Sequence, residues 1–293
     1  MKIAHLIMAH KEPKQIERLL KALAYPGFDF YIHLDAKANF DEFAYLQQLP
    51  GVRFISRRFL VRWASYRFTE AIVESTREVL ATGINYDFIN LMSAQDYPLK
   101  PAEAIYSFFE QHRGQSFMSF EAPGSGSGWW DHAITRVELY HSTYFEFPGQ
   151  YRLQFFLNKL LPKRKFPLPY TLYGSMNASW WTISLAAARY LVDFLDQQPG
   201  LRRFAKFTWG SDEFLPTTIL LNSPLRHSIV NNNYRYIDWS GGGANPKLLT
   251  TADLEPLRES DLLFARKFDV RVDAQVLDLI DEQLLAQPHP IAC

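Results

Sequence analysis

Cysteine is nearly missing from this chain of 293 residues, where Cys293, the last one, stands alone. A single thiol excludes an intramolecular disulfide framework and a cysteine-based zinc site, and it suits a reducing compartment. The eight histidines do not compensate, because none falls into His-x-x-x-His or a comparable ligand spacing. No two aspartates stand one residue apart. The nearest approximations, Asp253-x-Glu255 and Glu259-x-Asp261, lie in a charged segment with no strand before it. Neither a metal site nor a cofactor is therefore expected. Charge of one sign is lacking too: Lys plus Arg and Asp plus Glu number 31 each. Without a global field, nucleic acid is not an expected partner, and any anion must be held by locally placed cations. No apolar run approaches the roughly 20 residues that span a bilayer, and the N-terminal apolar stretch is too short for a signal-peptide core. The expectation is a cytoplasmic protein.

What is present is apolar and aromatic. At 47% hydrophobic and 15% aromatic, the chain can bury a sizeable core. Residues 2–9, 28–34, 51–56 and 86–93 read as short apolar strands, and 13–25, 40–48 and 67–82 carry helical spacing between them. That alternation predicts an α/β fold, a mostly parallel sheet wrapped by helices. In the helix over 67–82, Phe68, Ile72, Val79 and Leu80 share a stripe that reads as core. Residues 121–150 open on Glu121-Ala-Pro-Gly-Ser-Gly-Ser-Gly-Trp-Trp, a turn-rich stretch expected to be a mobile loop or lid. The basic run at 159–165 reads as a solvated face, with anionic lipid or a charged carrier as its alternative. A further strand is expected at 178–183 and helices at 185–197, 212–221 and 274–285. With no internal repeat, one domain over 1–293 is the simplest organisation.

Three segments carry chemistry. In Phe88-Ile-Asn-Leu-Met-Ser-Ala-Gln-Asp-Tyr-Pro an apolar run stops abruptly at polar groups, as a buried strand does when it delivers side chains at its carboxyl end. Asp96 is a site candidate there, or a turn former before Pro98. In Trp209-Gly-Ser-Asp-Glu-Phe a Gly-Ser-Asp turn opens an apolar helical run, which places Glu213 in its first turn as a rigidly held acid or as a helix cap. In Phe264-Ala-Arg-Lys-Phe-Asp two cations sit among aromatic residues.

Together with Tyr31-Ile-His-Leu-Asp-Ala-Lys-Ala and Arg62-Trp-Ala-Ser-Tyr-Arg-Phe, and in the same order along residues 1–269, these segments resemble the core-2/I-branching N-acetylglucosaminyltransferase family, which includes the peptide-O-xylosyltransferases. The resemblance implies a GT-A-like fold, with a nucleotide-binding half at about 1–120, an acceptor and catalytic half at 121–270, and a C-terminal helix and tail at 271–293. It implies an inverting, metal-independent transfer of N-acetylglucosamine or xylose from a UDP-sugar to a hydroxyl of a glycan or glycoconjugate acceptor. A catalytically silent glycan- or nucleotide-binding protein on the same fold is the alternative. Glu213 takes the position of the family's catalytic base, and Lys267 that of a diphosphate-binding cation, with a salt bridge as its alternative. His33 and Asp35 match the H-x-D at the nucleoside, where the alternative is a buried histidine beside a capping aspartate. His10 and Lys11 could line the same pocket or form a turn.

A second phosphate-binding arginine of vertebrate relatives falls on Ala244 by ungapped count, so that cation is missing, and Arg235 or Lys247 are its candidate replacements. Asp96, Trp239, Glu121 and Arg136 are the acceptor-side candidates, and Trp129 and Trp130 follow the same loop. Trp180 and Trp181 read as packing. Animal members carry an N-terminal membrane anchor that is not seen here, and peripheral contact with a membrane is the alternative to a purely cytoplasmic location.

Overall fold

In the computed structural model, residues 1–125 and 129–286 are described. Gly126, Ser127 and Gly128 of the expected lid, and Cys293 with the rest of the tail from 287, lie outside the described residues.

The α/β expectation holds. A sheet of seven strands has the order β3-β2-β1-β4-β7-β6-β8, formed by β1 (Ile3–Ala9), β2 (Phe28–Leu34), β3 (Val52–Phe54), β4 (Phe88–Ser93), β6 (Ser116–Met118), β7 (Thr182–Ser184) and β8 (Ile229–Asn231). A second, three-stranded sheet runs β5-β10-β9, from β5 (Asp96–Pro98), β9 (Arg235–Ile237) and β10 (Phe264–Arg266). Strands β3, β2, β1 and β4 are mutually parallel, so their carboxyl ends share one edge. β7 runs antiparallel to β4 and to β6.

The apolar strand runs are explained by cover on both faces. Along β1, Ile3, Ile7 and Ala9 enter one core, against Ile16 and Leu19 of helix Pro13–Ala22, while Ala4, Leu6 and Met8 enter the other, against Ile72 and Val79 of helix Tyr66–Ala81. His5 is the buried exception on β1. Its Nδ1 bonds the Asn90 amide at 3.0 Å, and burial, with Arg235 nearby, lowers its pKa to about 3, which keeps it neutral.

Several expected elements differ. The helix expected at 40–48 is two 3-10 turns, Phe40–Glu42 and Ala44–Gln48, ended by an extended Leu49 before Pro50, as the steric demand of a proline dictates. The strand expected at 178–183 is confined to Thr182–Ser184, because a Ser175–Ala178 turn occupies the approach. The helix expected at 212–221 begins as a 3-10 turn over Ser211–Glu213 and is α-helical only over Leu215–Leu221. Asp96–Pro98 forms no turn; it pairs antiparallel with β10, with Asp96 opposite Arg266. Among the described residues, no helix is long and apolar enough to cross a membrane.

Candidate functional site

A cleft of about 380 Å³ opens at the carboxyl edge of the parallel strands, lined by His10 beyond β1, His33 and Asp35 at the end of β2, and Ser93 and Gln95 after β4. This is where an open α/β sheet gathers polar groups, since helices cover its faces and only strand ends reach solvent. Phe59 N–H donates to His33 Nε2 at 3.1 Å, so that nitrogen accepts and the ring is neutral; burial lowers its pKa to about 4. Asp35 is held by its own N–H on the Ala9 carbonyl at 2.8 Å and by Lys37 N–H on its Oδ1 at 2.9 Å.

The opposite wall brings Trp180, Asp212, Glu213, Trp239, Ala244, Arg266 and Lys267. Lys267 forms no ion pair among the described residues, so the salt-bridge alternative is not what is seen. Burial first, then Arg266 and Lys11, push its pKa down. Lys37 also lines the cleft, its ammonium on the Val61 carbonyl at 2.5 Å. Lys11 is committed to Asp269 at 2.5 Å, whereas His10 faces the cleft with a lowered pKa, mainly from burial.

Glu213 is positioned by three ties. Gly210 N–H bonds the Ala64 carbonyl at 2.7 Å, Ser211 Oγ bonds Thr69 Oγ1 at 2.7 Å, and the Glu213 carbonyl accepts Ser175 N–H at 3.1 Å. A Cβ on Gly174 would lie 2.6 Å from that carbonyl, so this position needs glycine. Gly210, not a side chain, stands before the turn, at φ 61°, and the Glu213 carboxylate caps nothing; it accepts from Arg136. Its other oxygen has no partner among the described residues. Burial and the neighbouring Asp212, opposed by Arg136, raise the Glu213 pKa to about 7. Asp212 is itself buried, which pushes its pKa up, and accepts from Ser179 Oγ at 2.7 Å.

A second, wider cavity of about 1010 Å³ adjoins the first and is walled by Glu121, Trp129, Arg136, Tyr151, Gln154 and Trp209 among others. Glu213 and Trp239 line both, with Trp63, Met176 and Ala244. Trp239 is fixed by its Nε1 on Asn177 Oδ1 at 2.7 Å. The Glu121 backbone pairs with Gly174, and burial raises its carboxyl pKa.

Three sequence candidates stand elsewhere. Asp96 does not reach the cavities; it is buried beneath them, 3.2 Å from Arg266 Nε and 3.8 Å from Arg235 Nε, and accepts Ser93 N–H at 3.1 Å. It acts on the cleft by holding Arg266, whose guanidinium lies 4.3 Å from the Trp180 ring. Arg235 is corrected from a donor-binding cation to an internal one, bonded to Asn90 Oδ1 at 2.5 Å and to the Leu91 carbonyl at 2.8 Å. Lys247 turns away to Asp253 at 2.5 Å. Ala244 does line the cleft, so the counted position is at the site while the cation is missing from it.

Sequence reasoning passed over Lys37, Asp212 and Trp63 as cleft residues, and its reading of Trp180 as packing is corrected. Trp180 lines the cleft and Trp181 is fully buried, a division that period-2 alternation allows but does not orient. Lys37 stood in the His-x-Asp-x-Lys spacing itself, and that was its signal.

Among the described residues, no three of His, Cys, Asp or Glu cluster as metal ligands. The sequence profile of the Core-2/I-branching enzymes matches residues 3–259. Curated relatives include rat xylosyltransferase 2, 25% identical over 99% of this chain and 34% of its own length, and rat xylosyltransferase 1, 22% identical over 97% and 35%. The chain thus spans about a third of the length of these relatives. Similar solved structures include a galactosyltransferase in complex with donor and acceptor sugar analogues, at TM-score 0.44 and 9% identity over 98% of both chains. Mouse xyloside xylosyltransferase 1 matches at TM-score 0.42 and 11% identity over 90% of this chain and 97% of its own.

Proposed function

Given that the chain belongs to the Core-2/I-branching enzyme family, we propose that it is an inverting glycosyltransferase. It moves N-acetylglucosamine or xylose from a UDP-sugar to a hydroxyl of a glycan or glycoconjugate acceptor, without a metal ion. One placement supports this reading: among the described residues, Glu213 is the only ionisable one that lines both cavities. The smaller cleft takes the donor, with Asp35 at the nucleoside and Lys267 and Lys37 at the diphosphate. The wider cavity takes the acceptor, against Trp239 and Glu121.

At the junction, the acceptor oxygen attacks the anomeric carbon while Glu213 takes its proton. The bond from that carbon to the diphosphate breaks on the opposite side, and its electron pair leaves with UDP. A base must be ionised yet avid for a proton, and a carboxyl with a pKa near 7 meets both demands at neutral pH. Cations fixed in a partly dehydrated cleft stabilise the departing charge more than mobile water does. A partly buried ammonium such as Lys267, with no ion pair among the described residues, is available to the phosphates.

A donor screen reading UDP release, with an acceptor and with or without EDTA, tests the proposal. Glu213→Gln is expected to keep UDP affinity and lose on the order of 10²–10⁴ in transfer rate. Wild-type turnover by that variant would remove the base assignment.

A further inference from the structure

Helix Gln150–Leu160 is built inside out. Its uncharged polar side chains face the protein: Gln154 accepts from Ser142 N–H at 2.8 Å, and Asn158 both accepts from Tyr140 N–H at 2.7 Å and donates to its carbonyl at 2.9 Å. Its apolar side chains face outward, with Tyr151 66%, Phe155 60%, Phe156 53% and Leu160 75% exposed. A surface helix in water shows the reverse pattern, so this face is shaped for a phase other than water.

Charge supplies the second observation. In a chain with no net charge, residues 147–192 contain no Asp or Glu, while Arg152, Lys159, Lys163, Arg164, Lys165 and Arg189 fall within them. Arg164 is spent internally on the Leu139 carbonyl at 3.0 Å and on that of Phe207, and Lys163 pairs with Glu138 at 2.5 Å. Arg152 and Lys159 sit on the exposed side of the helix and form no ion pair among the described residues. Aromatic and aliphatic side chains interleaved with long cations match a bilayer surface bearing anionic headgroups, because the rings enter the acyl boundary while the cations reach back to phosphate.

We propose that helix Gln150–Leu160 docks the protein on an anionic lipid surface. The helix also walls the wider cavity through Tyr151 and Gln154. Docking therefore sets that cavity at the membrane, and, on the function proposed above, the acceptor is one presented there, such as a lipid-linked glycan.

The test is co-sedimentation with vesicles of phosphatidylcholine alone and of phosphatidylcholine mixed with phosphatidylglycerol, in the absence of any sugar donor, so that the result is independent of catalysis. Wild type is expected to sediment with the anionic vesicles, less so at high salt. The pair Phe156→Ser and Leu160→Ser, and separately the pair Arg152→Glu and Lys159→Glu, are expected to weaken binding on the order of tenfold or more. UDP affinity should stay unchanged in both, which shows that the variants are folded, and the charge reversal leaves the apolar packing intact should the first pair misfold. No sedimentation of wild type, or undiminished binding by both folded pairs, overturns the proposal. So does a wild-type dimer that the serine pair turns to monomer with no change on vesicles, which would assign the face to a second copy of the chain.

Discussion

Arg136 and Glu213 stand 77 residues apart in sequence, yet the Arg136 guanidinium donates to the Glu213 carboxylate. The arginine is held in place by two rings, Trp209 at 4.3 Å and Trp129 at 5.1 Å. Gly210 makes room for it, since a Cβ there would lie 2.8 Å from Arg136 Nη1. The Glu213 carboxylate is thereby oriented by a charge that opposes its raised pKa, and Asp212 pushes the other way. Burial sets the high proton affinity at Glu213, and the two neighbours adjust it in opposite directions.

The pH dependence of transfer follows with a definite sign. As the proposed base, Glu213 would work only when ionised, and its pKa is raised to about 7. kcat/KM should therefore climb about tenfold per pH unit on the acid side and level off above roughly pH 7. A profile flat from pH 5 to 8 would be incompatible with Glu213 as base. On the alkaline side, the lowered pKa of Lys267 predicts that donor KM rises at a pH below the usual lysine range.

Changing the two neighbours should move the acid limb in opposite directions. Asp212→Asn removes a negative charge that disfavours the ionised base, so the limb shifts to lower pH. Arg136→Gln removes the charge that favours it, so the limb shifts to higher pH. Rate–pH profiles of both variants check this, and shifts of the same sign would refute the balance.

Saturating EDTA should leave transfer intact, while Lys267→Ala should lose roughly 3 kcal/mol of transition-state stabilisation, the scale of removing a fixed stabiliser of developing charge. Lys37→Ala should raise donor KM with a smaller effect, since Lys37 is more exposed. Loss of activity in EDTA, with rescue by Mn²⁺ and an active Lys267→Ala, would replace the ammonium clamp by a metal.

Asp35 and Asp96 should separate cleanly. Asp35→Ala is expected to weaken UDP binding, read by calorimetry, with little change in urea midpoint. Asp96→Ala leaves Arg235 and Arg266 facing each other without their shared carboxylate, and removing one member of a buried charge cluster costs about 3–5 kcal/mol. Its unfolding midpoint should fall sharply. A stable Asp96→Ala protein with impaired acceptor KM alone would restore Asp96 to the acceptor side.

Much of this molecule was legible in its sequence because the physics involved is local. Period-2 and continuous apolar runs placed β1, β2 and β4, and the stripe of Ile72 and Val79 placed the helix over Tyr66–Ala81 on its core. Motif order was enough to bring His33, Asp35, Glu213, Trp239 and Lys267 to one cleft. Three-residue strands such as β5, β9 and β10 escaped, being too short to show a period and held only by pairing partners far along the chain.

What the tertiary structure alone decided is which charges face the cleft and which face each other. Asp96, Arg235 and Lys247 look like site residues in one dimension, but antiparallel pairing of β5 with β10 buries Asp96 against Arg266, and Asp253 captures Lys247. Trp180 and Lys37 reach the cleft because of where their backbones point. A side chain's partner is set by the packing of remote segments, and the free energy of a charge depends on that partner and on its solvation. Sequence therefore determined the elements and the ionisable groups available for chemistry, and packing decided which of them are free to act.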